Sequence, residues 1–202
     1  MRLLLPAAVV AALVTGACTS GPSAPVDPQA YAKTIAEARA VKDKAFREEP
    51  EPIPADKRDT LLPLRYYPPD PSYTAPAELK LANERPVFEM PTSTGKLRRM
   101  ERVGVLEFSL RGQPMSLAAF VEEGQALENL FVPFADLTTG KETYPAGRYL
   151  DIRPTSTGFY NIDFNMAYNP TCAYNATYDC PYPPASNRLK VEIRAGEKAP
   201  GT

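Results

Sequence analysis

Three patterns of apolar and polar residues succeed one another along the chain. The first is an unbroken apolar run, Leu3 to Val14, preceded by Arg2 and followed by the small residues Thr15, Gly16 and Ala17. The second is amphipathic: Tyr31, Ile35, Ala38, Val41, Ala45 and Phe46 recur at steps of three and four, with charges between them. Such a stripe predicts a helix over residues 29–49 that packs on its own domain, capped by Asp27, opened by Pro28 and stopped by Pro50 and Pro52. The third pattern, from Pro86 onward, is a series of short apolar runs cut by turn residues.

Those runs are Pro86–Met90, Val103–Leu110, Met115–Glu122, Leu130–Phe134, Arg148–Ile152, Phe159–Asn165 and Leu189–Arg194. Each is bounded by Gly, Pro, Asn or Asp and reads as a strand. Ser93–Lys96 makes a turn, and Arg111-Gly112-Gln113-Pro114 joins two of the runs as a hairpin. No second helix is long enough to cross between parallel strands. The expected fold is mainly β: an antiparallel β-sandwich or open barrel with one N-terminal amphipathic helix. Between helix and strands, residues 50–76 carry prolines too closely spaced for regular structure. They predict a proline-rich wrapping segment anchored by Leu61, Leu62, Leu64, Tyr66 and Tyr67.

The apolar run at the N-terminus is too short for a membrane span of about 20 residues and has the three parts of a secretory signal. Residues 1–17 are therefore expected to be removed. Cys18 stands directly after the small residues, as in a bacterial lipobox, although Thr15 replaces the usual leucine. A lipid on Cys18 would anchor the protein to a membrane facing the periplasm or cell exterior. Thr19, being no aspartate, favours the outer membrane in a Gram-negative cell. Residues 18–28 lack large apolar side chains and read as a flexible tether, leaving 29–198 as a single β-rich domain.

Composition narrows the chemistry. The chain has 202 residues, with 23 Lys+Arg against 24 Asp+Glu, and no histidine. A nucleophile–histidine dyad, a His-ligated metal or an imidazole base is excluded. Near-neutral charge without a basic run argues against a nucleic-acid partner. Cys172 and Cys180 fit a disulfide in an oxidising compartment better than a metal site, because only carboxylates and amides could complete the ligand set. No cofactor or metal is implied, and oligomeric state is not encoded.

Polar chemistry gathers late in the chain. Eleven of the 19 aromatic residues lie between Phe131 and Tyr182, together with Asp136, Glu142, Arg148, Asp151, Asp163, Asn165 and Asn169. Period two places Asn161, Asp163 and Asn165 on one strand face and Ile162 and Phe164 on the other. An Arg148–Asp163 contact is compatible with this spacing. One reading makes these residues scaffold, satisfying backbone groups in proline-broken loops. The other makes them a tyrosine-rimmed pocket for a small polar or carbohydrate-like ligand.

The run from Phe131 through Asp136, Thr138, Gly140, Glu142, Tyr144, Gly147 and Arg148 to Asp151 resembles an uncharacterised bacterial family, domain of unknown function 1684. So do Asp163–Tyr174, Cys180–Pro184, Asn187–Leu189 and Ala195–Glu197. Lys42, Asp43 and Phe46 resemble it too, as do Leu64, Tyr66, Tyr67 and Pro68. The resemblance brings no activity. It implies one shared motif set, from which Glu142, Tyr144, Arg148, Asp163, Asn165 and Asn169 are the candidate polar site. The expected function is a lipid-anchored binding or structural module. The alternative is a hydrolase with Glu142, Asp151 or Asp163 as acid and base and Arg148 stabilising developing charge.

Overall fold

The computed structural model describes residues 27–201. The predicted signal segment, Cys18 and most of the tether lie outside them. Helix α1 (Pro28–Glu48) begins where Asp27 accepts a hydrogen bond from the Gln29 amide at 2.9 Å, and it ends before Pro50. A one-turn helix, α2 (Arg58–Leu61), interrupts the proline-rich segment. There Ile53, Leu62, Leu64 and Tyr174 form a small apolar cluster with Phe46 and Tyr66 packed against it.

Seven antiparallel strands follow: β1 (Thr74–Leu81), β2 (Val87–Pro91), β3 (Leu97–Leu110), β4 (Gln113–Glu122), β5 (Leu130–Phe134), β6 (Arg148–Ile152) and β7 (Tyr160–Asp163). Their order is β6-β5-β4-β3-β1-β7, and β2 pairs with the first part of β3. A bulge at Arg102–Gly104 bends β3 between its β2-paired and β1-paired halves. A bridge between Pro154 and Tyr160 brings the end of β6 to the start of β7. The sheet is thereby a nearly closed barrel, not a sandwich. Alternate positions point inward, among them Leu117, Ala119 and Val121 of β4 and Leu130, Val132 and Phe134 of β5.

Local chemistry explains the hairpin between β3 and β4. Arg111 and Gly112 have φ of 51° and 78°, so both central residues are left-handed, as a turn matched to strand twist requires. The Arg111 side chain compensates by bonding Ser72, Tyr73 and Asp70.

Two elements depart from the sequence expectation. β1 falls partly within the predicted wrap, with Pro76 opposite Asn161 of β7, although proline argues against an interior strand. Leu189–Arg194 forms no regular strand. It runs beside residues 135–137, bonded from the Leu189 amide to Ala135 O at 2.8 Å and from the Leu137 amide to Val191 O at 3.0 Å. Beyond that point its carbonyls turn toward a buried side chain of β6.

Candidate functional site

That side chain is Arg148. Period two along β6 puts Arg148, Leu150 and Ile152 on the inner face, so the guanidinium closes one end of the barrel and is fully buried. Its ion-pair partner is Asp136 at 2.9 Å, not Asp163. The remaining terminal N–H groups donate to the carbonyls of Ile193 (2.8 Å), Ala195 and Glu197 (3.1 Å). Asp136 in turn accepts from the Thr138 amide and hydroxyl and the Ile193 amide. The pair is a clamp that holds the C-terminal strap, residues 187–201, onto the barrel.

Gly196 then aims the strap. Its φ of 76° is left-handed, and a Cβ there would lie 2.6 Å from the carbonyl oxygens of both Phe164 and Ala167. The turn delivers Glu197, which is 1% exposed, beneath α1. Its carboxylate accepts from Lys42 Nζ at 2.5 Å, the Asn169 amide at 2.7 Å and the Tyr174 hydroxyl at 2.6 Å. A buried carboxylate is tolerated because each oxygen has a donor.

The predicted site residues do not form one open surface. Arg148, Asn165 and Asn169 are buried, and Arg148 is spent on the clamp. Asn169 braces the strap through Lys198 O at 2.7 Å. Asn165 accepts from the Asp70 amide at 2.9 Å and donates to Asp70 O at 2.8 Å, which docks the proline-rich segment. Asp163 caps the 3-10 turn Phe164–Met166 and accepts the Tyr31 hydroxyl. Glu142 is exposed, between the Tyr67 hydroxyl and Arg194, each at 3.0 Å. Asp151 accepts the Tyr168 hydroxyl at 2.8 Å. Each carboxylate named for hydrolysis is thus held by its own tyrosine, and Arg148 faces none of them. Tyr144 is half-buried beside the cysteines, and burial pushes its pKa up to about 12.

Cys172 and Cys180 are brought together, as a disulfide would require. Both are buried free thiols, held in contact by the Cys172 amide donating to Cys180 Sγ at 3.0 Å. Hydrogen bonding between the two thiols lowers the Cys180 pKa and raises that of Cys172.

What the motif residues do enclose is a cavity of about 190 Å³ between α1 and the barrel. Ala38, Arg39, Lys42, Tyr66, Asn165, Met166, Ala167, Tyr168 and Glu197 line it. Lys42 lies 5.1 Å from the ring centres of both Phe46 and Tyr168, and the Arg39 guanidinium lies 4.4 Å over Tyr66. Sequence reasoning assigned Val41 to the inward stripe of α1, yet Val41 is 70% exposed. The inward positions are Tyr31, Ile35, Arg39, Lys42 and Phe46, at steps of four, four, three and four. That regular spacing was the available signal for Arg39 and Lys42, whose apolar stems let them occupy an inward stripe.

A larger cleft of about 540 Å³ opens between the β4–β5 loop and β3–β6, lined by Arg98, Glu122, Gln125, Glu128, Phe131 and Asp151 among others. Of these, only Phe131 and Asp151 belong to the motif set. Among the described residues no group of three or more Cys, Asp or Glu is placed to hold a metal ion.

An antiparallel barrel with a helix laid over a small cavity and a C-terminal strap clamped by a buried Arg–Asp pair defines the structural class. The chain belongs to the family described as "Protein of unknown function (DUF1684)", which matches residues 60–198. The match takes in the clamp, Tyr66, residues 165–168 and Glu197; α1 precedes it. The chain is also similar to the solution NMR structure of the uncharacterized protein from gene locus rrnAC0354 of Haloarcula marismortui. Identity is 37%, the TM-score is 0.66, and the alignment covers 85% of this chain and 96% of that one. No curated protein matches the chain.

Proposed function

We propose that the protein is a membrane-anchored lipoprotein of the cell envelope whose barrel is a binding module for a small ligand, held in the cavity beneath α1. One observation carries this reading: motif residues from four separate stretches (Lys42, Tyr66, Asn165–Tyr168 and Glu197) converge on one cavity. The Arg148 clamp and Gly196 hold two of those stretches in place. The cavity has room for roughly six water molecules at about 30 Å³ each, so the ligand is small. Binding is favoured over the hydrolase alternative because Arg148 is buried against Asp136 and cannot face a developing charge.

Chemical-shift mapping of the mature protein with a mixture of small fragments tests the reading. Perturbations are expected at residues 38–42, 66, 165–168 and 197; a map confined to Phe131, Asp151 and the β4–β5 loop sinks it. The anchor is tested apart from this, by intact mass. A mature chain beginning at an acylated Cys18 is expected, and an unmodified Cys18 refutes the anchor. In an oxidising envelope the thiol pair is expected to close as a disulfide, giving no alkylation of the untreated protein.

A further inference from the structure

Resting on that cavity reading, we infer that the ligand is a small monoanion, a carboxylate attached to an apolar body. The charges around the cavity are unequal in their partners. Lys42 is neutralised by Glu197 at 2.5 Å. Arg39 makes no contact ion pair: its terminal nitrogens donate to two backbone carbonyls, Tyr67 O at 2.9 Å and Asn165 O at 3.3 Å, and Glu197 and Asp163 act on it only from a distance. Among the described residues no carboxylate lies within 4.0 Å of it, and its Nε, shielded from solvent, has no acceptor. The nearby Asp163 carboxylate is engaged by Tyr31 and Asn165 instead.

A half-buried cation without a carboxylate in contact is costly, because desolvation is only partly offset by more distant charges. The cavity it lines is where a counter-ion would sit. Tyr66, on the same wall, has a buried hydroxyl with no partner. The rest of the lining is apolar or aromatic: Ala38, Met166, Ala167 and the Tyr168 ring. A single guanidinium with no carboxylate in contact offers one site for an anionic group, which suits a monoanion better than a dianion. A planar guanidinium pairs best with a planar carboxylate.

The test is calorimetric titration of the mature protein with benzoate, with benzyl alcohol as its neutral analogue and with inorganic phosphate. Benzoate is expected to bind at least about tenfold more tightly than either. Arg39→Gln is expected to remove that preference, leaving benzoate no tighter than benzyl alcohol, whereas Arg39→Lys restores part of it. Equal affinity of the wild type for benzoate and benzyl alcohol overturns the anion inference and leaves the cavity reading standing. No heat and no amide shifts with either at about 10 mM overturns the cavity reading itself. The wild-type comparison decides even if Arg39→Gln fails to fold.

Discussion

Replacing Arg148 with methionine separates clamp from binding site. The substitution keeps the apolar stem and removes a guanidinium that makes one ion pair and three bonds to strap carbonyls. Breaking a buried pair costs about 3–5 kcal/mol. Two features of the structure push in opposite directions within that range. Asp136 keeps the Thr138 amide, the Thr138 hydroxyl and the Ile193 amide, so its charge is not left bare. The carbonyls of Ile193, Ala195 and Glu197 lose a donor, at about 1 kcal/mol or more each. The expected loss is about 4 kcal/mol, or roughly 8–16 °C in Tm for a domain of this size. Guanidinium unfolding followed by circular dichroism measures it, the chain having no tryptophan. Adding Asp136→Asn should recover part of the loss, because the stranded charge is removed along with its partner. An Arg148→Met protein within about 1 kcal/mol of wild type that nonetheless fails to bind benzoate would refute the clamp and return Arg148 to the site.

Further outcomes are expected. Closing the loop between Cys172 and Cys180 contributes roughly 2–3 kcal/mol by chain entropy, so reductant should lower the Tm of the oxidised protein by roughly 4–12 °C. Gly196→Ala forces a side chain into left-handed backbone against two carbonyls, and should cost at least about 2 kcal/mol in the same unfolding experiment. Burial raises the Tyr67 pKa from its ordinary 10 to about 12. Below pH 10 it leaves stability unchanged; from there to pH 12 the unfolded chain releases a proton that the folded chain keeps, so stability falls. Tyr67→Phe should make that alkaline fall shallower without abolishing it, since Tyr31, Tyr66, Tyr144, Tyr149, Tyr168 and Tyr174 are raised by burial too; unfolding curves at stepped pH read the difference.

Periodicity was a good guide wherever it acted alone. The α1 stripe and the runs Leu130–Phe134 and Arg148–Ile152 coincide with observed elements because apolar spacing and flanking turn residues agreed. β1 was hidden because Pro71 and Pro76 flank or interrupt it, and a strand that tolerates proline leaves no local signal. Leu189–Arg194 has the composition of a strand, but its Ile193 carbonyl, and those of Ala195 and Glu197 just beyond it, are drawn to Arg148, a partner 45–49 residues away that no local pattern reveals. The same limit governs the site. Arg148, Asn165 and Asn169 stood out as unusual polar residues, yet a sequence does not tell a polar group that braces a loop from one that faces a ligand. Arg39 goes unmarked in the sequence, and Lys42 stands in the motif without a site role, for the converse reason: charged residues on a helix read as its wet face, although their stems can lie inward.

The most direct test of the account is a crystal of the mature protein soaked in benzoate. Density for a planar carboxylate beside Arg39 and Tyr66, with its ring against Ala38, Met166 and Tyr168, is the expected result. Density beside Phe131 and Asp151 with an empty cavity under α1 would contradict it.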